Sequence, residues 1–225
     1  MGAIYGSYGL HVGELQMNAT AFLIAAGLGI LFSGRRAPNP GPSAAVGDSI
    51  VANGGFLRVL NSLQGYSWQN FGVVGNTTGQ MLSRSDQWAR ASFTEILIMG
   101  CINDFSRRRN VEWTIDNMRQ MYELARGVGA RLVVVTSTPW DRYAAWNGPK
   151  QLKQNRVLQW QYAGADGLAD VVVDAYHPLA DPARPGALRR DYAARDQLHL
   201  NRSGQNRLGE VIIETAYQSV TRAGS

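Results

Sequence analysis

The sequence predicts an α/β domain with a parallel sheet and helices on both faces. Three observations carry this. Beyond Ala44, short β-prone runs alternate with longer helical stretches, an order that implies right-handed crossovers and a parallel sheet. The later runs carry Val, Ile and Leu on successive positions, as strands covered on both faces do. The 225 residues are 45% hydrophobic and 17% charged, enough for a full core and unlike a disordered chain or a multispanning membrane protein.

Residues 1–42 read differently from the rest. A Gly-rich, mixed opening leads into the apolar "ATAFLIAAGLGILFSG" and then the break "RRAPNPGP". A boundary follows near Pro40–Ser43, dividing an N-terminal arm or anchor (1–42) from a domain (43–225). As a helix, the uninterrupted run Ala21–Phe32 would span about 18 Å against about 30 Å of hydrocarbon. The residues before it contain Glu14 and no Lys or Arg, so a secretory signal fits poorly. The arm is expected to dock on its own domain, another subunit or a larger assembly; a membrane anchor ranks second and an unusual signal third.

In the domain the strand candidates are Ala44–Gly47, Gln69–Val74, Glu95–Met99, Arg131–Ser137 and Asp170–Asp174. Helix candidates fall at Gly55–Leu63, Gly79–Ala91, Val111–Arg126 and Lys150–Tyr162. A last helix, Ser203–Arg222, is expected to be capped by its first serine. Ligands in such a fold bind at the carboxyl ends of the strands.

Ser49 directly follows the first strand, in "GDSI". Alone it reads as turn and cap chemistry. As a nucleophile it needs a base and a group to orient that base. The chain has three histidines: His11 lies in the arm, His177 precedes a proline, and His199 follows Asp196 by three residues in "DQLHLN". That spacing lets the carboxylate hold the imidazole while the other ring nitrogen faces the serine. Gly75, ending "GVVG", could present a bare backbone N–H, and Asn103 in "CIND" a side-chain amide, to a developing oxyanion. Singly, each also reads as ordinary turn chemistry.

Together, "GDSI", "GVVGNTT", "CIND" and "DQLHLN" resemble, in order and spacing, the four blocks of the SGNH or GDSL hydrolases, over about residues 44–221. The resemblance implies a flavodoxin-like three-layer α/β/α sandwich with a five-stranded parallel sheet. It implies a catalytic triad of Ser49, Asp196 and His199, and an oxyanion hole of Ser49, Gly75 and Asn103. It implies no metal and no organic cofactor. The chain departs from the pattern at Cys101, where the family usually has glycine two residues before the asparagine.

The single cysteine excludes an intrachain disulfide and leaves a cysteine-based zinc site without partners. The net charge of +5 comes mostly from arginine, scattered as Arg35-Arg36, Arg107-Arg108-Arg109 and Arg184 to Arg195; in the long loop "YHPLADPARPGALRRDYAARDQLH", Arg184, Arg189 and Arg190 could meet an anionic polymer. In "TPWDRYAAWNG", Trp140, Tyr143 and Trp146 offer rings for stacking on a sugar, or simply anchor a loop. The expected activity is therefore carboxylic ester hydrolysis through an acyl-enzyme, first as a carbohydrate O-acetyl esterase acting on an acylated small molecule or polysaccharide. A lipid ester or thioester hydrolase is the alternative, with a non-catalytic glycan-binding module behind it. Nucleic acid is not an expected partner, since only charge supports it and no recognition motif is present. An extracellular, envelope-associated or particle-associated setting, a viral particle included, ranks above the cytoplasm.

Overall fold

The computed structural model describes residues 36–218. His11 and the apolar run 21–32, with the arm they belong to, lie outside the described residues. Five parallel strands, β1 (Pro42–Gly47), β2 (Ser67–Gly72), β3 (Glu95–Met99), β4 (Arg131–Val135) and β5 (Val171–Val173), form one sheet in the order β2-β1-β3-β4-β5. The first crossover runs from β1 to one side and the next returns to its other side. This reversal opens a crevice at the carboxyl ends of β1 and β3.

Side-chain alternation divides the core into two layers. Ala45, Leu97, Met99, Val133 and Val135 face one way, against α1 (Ser49–Asn53), α2 (Gly55–Leu60) and α8 (Arg202–Ala216). Ala44, Val46, Ile96, Ile98, Leu132 and Val134 face the other. There they meet α3 (Thr78–Leu82), α4 (Ser85–Trp88), α5 (Ile102–Ser106), α6 (Val111–Gly127) and α7 (Gly148–Tyr162). The result is the expected α/β/α sandwich. Among the described residues no helix is long and apolar enough to cross a membrane.

Several local expectations shift. β2 starts and ends two residues early, because Val73 and Val74 leave the sheet and stand in solvent, Val74 with 75% of its surface exposed. The helix expected at Gly79–Ala91 is two short ones. Thr77 opens α3 with a capping box to Gln80, and the chain breaks at Arg84, whose guanidinium reaches the Asn76 side chain and the Gly47 carbonyl. The last helix is capped by Asn201, not Ser203: the Asn201 side chain accepts from the Gly204 N–H at 2.9 Å. The long loop before it holds a small hairpin, β6 (Ala180–Asp181) and β7 (Arg184–Leu188).

At the opposite edge of the sheet, buried Glu95 pairs with Arg131 at 3.1 Å and accepts the Tyr217 hydroxyl. The chain ahead of β1 is fastened there. The Asn39 N–H donates to Glu95, and Arg131 donates to the Arg36 carbonyl. A buried ion pair of this kind stands only because further hydrogen bonds satisfy both partners.

Candidate active site

Ser49 is the first residue of α1, so its position is set by the end of β1. Asp48 caps that helix, its carboxylate accepting the Ile50 N–H at 3.0 Å. Cap and serine therefore coexist: the cap chemistry belongs to Asp48 and leaves the Ser49 hydroxyl free to point elsewhere. Gly72 lets the helix sit this close. A Cβ there would lie 2.2 Å from the Ala52 nitrogen, closer than packed atoms approach.

The Ser49 hydroxyl lies 2.8 Å from His199 Nε2, and His199 Nδ1 lies 2.6 Å from Asp196 Oδ2. The other Asp196 oxygen accepts the backbone N–H groups of Leu198 and His199, each at 3.0 Å. Burial pushes the Asp196 carboxyl up, but the hydrogen bonds from the His199 ring and from these two N–H groups outweigh it and hold the group below its ordinary range. It is thus a fixed anion. With Nδ1–H directed at it, Nε2 is left as the acceptor for the serine proton.

α8 brings the histidine loop to the serine. Gln205, buried in its first turn, accepts the Phe56 N–H at 3.0 Å and donates to the Ile50 carbonyl at 3.3 Å. His177 is held elsewhere, its Nδ1 2.7 Å from Asp174 Oδ2. Among the described residues, His199 is the histidine in contact with Ser49.

Gly75 and Asn103 meet at the neighbouring loop. Gly75 adopts φ +75°, a conformation that favours glycine. Asn103 Nδ2 donates to the Asn76 carbonyl at 3.0 Å, which uses one of its two amide hydrogens. Neither the Ser49 N–H nor the Gly75 N–H donates to any described residue. Cys101 occupies φ +110° without being glycine, and its thiol is buried against Ser137, with burial raising its pKa well above the usual thiol range. Even so, the turn delivers the Asn103 amide to within hydrogen-bond distance of the Asn76 carbonyl, next to Gly75.

The supports around these groups come from residues that sequence reasoning did not single out. Arg107 donates to the Gly75 carbonyl at 3.0 Å and to Gln80 at 3.2 Å, fixing the turn from outside. Arg84 holds Asn76 from the other side at 3.0 Å. Buried Asp104 accepts the Thr78 N–H and both the Thr78 and Thr114 hydroxyls, tying α3, α5 and α6 together. Burial raises its pKa. Burial also pushes the Asp48 carboxyl up to about 6, against the pull of the Ile50 N–H and of His199. The Asn103-Asp104 and Thr77-Thr78 pairs were the available signal, legible only as turn and cap residues.

The aromatic triplet divides. Trp140 is 4% exposed, donates its indole N–H to Thr138 at 2.8 Å and packs against Trp146. It is a core residue and offers no face to a ligand. Trp146 is also buried, bonded to Gln151 at 2.9 Å, and only borders a cleft; Tyr143 is half-buried and lines it. This cleft, about 590 Å³, is lined by Asp141, Arg142, Tyr143, Ala144, Trp146, Arg184, Arg190 and Gln197. Among the described residues no group of three or more His, Cys, Asp or Glu gathers to hold a metal ion.

Residues 45–207 match the family model described as GDSL-like Lipase/Acylhydrolase family. Among curated proteins, no sequence match is found. Solved structures with the same fold include a lipolytic protein of the G-D-S-L family from Veillonella parvula (18% identity, TM-score 0.64, covering 77% of this chain and 97% of that one). The lipase/acylhydrolase from Enterococcus faecalis (21%, 0.61, 80% and 96%) is another. A GDSL-like lipase from Bacteroides thetaiotaomicron (19%, 0.60, 91% and 97%) is a third. At these identities the likeness concerns the fold, whereas the family match spans the segments that carry Ser49, Gly75, Asn103, Asp196 and His199. The chain belongs to the GDSL-like lipase/acylhydrolase family, whose members hydrolyse esters.

Proposed function

We propose that Ser49 is the nucleophile, His199 the general base and acid, and Asp196 the carboxylate that orients it. The observation that supports this is the unbroken Ser49–His199–Asp196 hydrogen-bond chain of 2.8 and 2.6 Å. Ser49 Oγ attacks the ester carbonyl carbon as its proton passes to His199 Nε2. The oxyanion receives hydrogen bonds from the Ser49 and Gly75 N–H groups and the Asn103 amide. Collapse breaks the C–O bond, His199 returns the proton to the leaving alkoxide, and an acyl-Ser49 ester remains. Water then gives a proton to His199 and attacks that ester, releasing the acid and restoring the serine.

The alcohol half is proposed to be a sugar, and the acyl half an acetyl group. The adjoining cleft is built from arginine, aspartate, glutamine and a tyrosine face, which suits a ring with several hydroxyls better than an alkyl chain. One feature favours the second reading, a lipid or thioester hydrolase: Val73 and Val74 expose apolar surface next to Gly75. A glycan substrate goes with an extracellular, envelope-associated or particle-associated setting.

Two measurements test this. Ser49→Ala is expected to abolish hydrolysis of p-nitrophenyl acetate and covalent labelling by a fluorophosphonate; full activity or labelling in that variant overturns the assignment. Rates on acetylated sugars, set against p-nitrophenyl esters of increasing chain length, decide the substrate. A rate that climbs with chain length while acetylated sugars stay intact favours the lipid reading.

A further inference from the structure

The cleft beside the His199 loop holds more positive charge than its own groups neutralise. Three arginines line it. Arg142 is committed to the Leu188 carbonyl and the Asp181 carboxylate, and Arg184 to the carboxylate and carbonyl of Asp141. The Arg190 guanidinium forms no hydrogen bond or ion pair with any described residue; its charge reaches Asp181 only at longer range. Pairing Arg142 with Asp181 and Arg184 with Asp141 leaves the Arg190 guanidinium uncompensated.

The position of the cleft says which half of the substrate meets this charge. Gln197, in its wall, lies two residues before His199, so the two Cα atoms are at most about 7.6 Å apart. The Gln197 side chain donates to the Ala194 carbonyl at 3.1 Å, and its backbone adopts φ +60°. The wall is thus a fixed part of the histidine loop. Under the mechanism proposed above, His199 delivers its proton to the leaving alkoxide, so a cleft walled by this loop faces the alcohol half, while the acyl oxygen lies toward Gly75 and Asn103.

We infer that this cleft is a subsite for an acidic sugar: the ring that leaves as the alcohol carries a carboxylate that pairs with Arg190, with Tyr143 beside the ring. A guanidinium presents parallel N–H donors that match a carboxylate in two-point contact. The fixed pairs of Arg142 and Arg184 keep the neighbouring carboxylates from taking Arg190 for themselves. This inference rests on the carbohydrate-ester reading and adds to it the charge of the sugar.

The test compares two substrates that differ only at C6, the acetylated methyl glycosides of galacturonic acid and of galactose. The acid is expected to exceed the neutral sugar by about 10-fold or more in kcat/KM at low salt, the range of a charge-assisted hydrogen bond. Most of that preference should vanish in 0.5 M NaCl by screening. In Arg190→Gln the ratio falls to about one, through KM, and Arg190→Lys retains part of it. Arg58→Gln, on the exposed face of α2, keeps the wild-type ratio. Equal rates on the two sugars, or a preference that Arg190→Gln leaves intact, overturns the acidic subsite while leaving the carbohydrate reading in place. If p-nitrophenyl acetate is cleaved and neither sugar is, the carbohydrate reading falls and the subsite with it.

Discussion

Replacing Asp48 by asparagine should make the protein more stable at neutral pH and slower as an esterase. Asp48 is fully buried, and its carboxyl is pushed from 3.8 to about 6, chiefly by burial. The folded state therefore holds this proton more tightly than the unfolded chain. The resulting destabilisation is absent below the unfolded value, grows as pH rises through the interval between 3.8 and about 6, and is complete above it. A shift of this size corresponds to about 3 kcal/mol at pH 7.5 and about 1 kcal/mol at pH 4.5. Asparagine keeps an oxygen acceptor for the Ile50 N–H and is as good a helix cap. Asp48→Asn should thus gain about 3 kcal/mol in urea unfolding at pH 7.5, a rise in Tm of roughly 6–12 °C for a domain of this size, and far less at pH 4.5. In the proposed mechanism the Asp48 charge also attracts the imidazolium that forms when Ser49 gives up its proton, so turnover should drop as stability rises. A gain of equal size at both pH values, or a loss at pH 7.5, refutes the reasoning.

Two further variants probe the surroundings of the site. Arg107→Ala frees the Gly75 carbonyl and should lower kcat about 10-fold on p-nitrophenyl acetate with little change in KM, because in the proposed mechanism the donor it steadies acts on the developing oxyanion; an unchanged kcat would show that the turn holds its shape alone. Trp140→Ala removes a buried indole from the core and should destabilise the fold by about 3–5 kcal/mol in urea unfolding. If the fold is untouched and only the KM for acetylated sugars rises, Trp140 faces the ligand after all.

What the sequence conveyed tracks how local the determining physics is. β3 runs Glu95–Met99 and α6 begins at Val111 as expected, since an unbroken apolar run between turns and a clean cap are each visible within a few residues. β2 lies two residues ahead of its expected place because valine favours strands intrinsically, while Val73 and Val74 leave much of their surface in solvent. The break at Arg84 arises from its reach to Gly47 and Asn76, a tertiary demand that overrides helix propensity. The same limit governs the site. Ser49, Asp196 and His199 stand out because few residue types can do this chemistry, and their order in the chain could be read. Arg107 and Asp104 could not be singled out, since an arginine on a carbonyl 32 residues away and a carboxylate shared by three helices leave no local pattern. For Trp140 the sequence leaves stacking and loop-anchoring both open, because a ring in a loop looks alike whether it turns inward or outward; its burial favours the anchor.

The serine and the imidazole that meet at 2.8 Å stand 150 residues apart in the chain. During synthesis the strands, the Gly75 turn and the Asn103 turn all leave the ribosome well before the loop that bears His199. That loop is held against Ser49 by α8, whose Gln205 bonds to α1 and α2. A nascent chain that stops short of Asp196 and His199 should therefore be silent toward esters however well its sheet has formed. Ester turnover then reports the docking of α8, and in a refolding experiment its recovery should trail the return of helical signal by the time that docking takes.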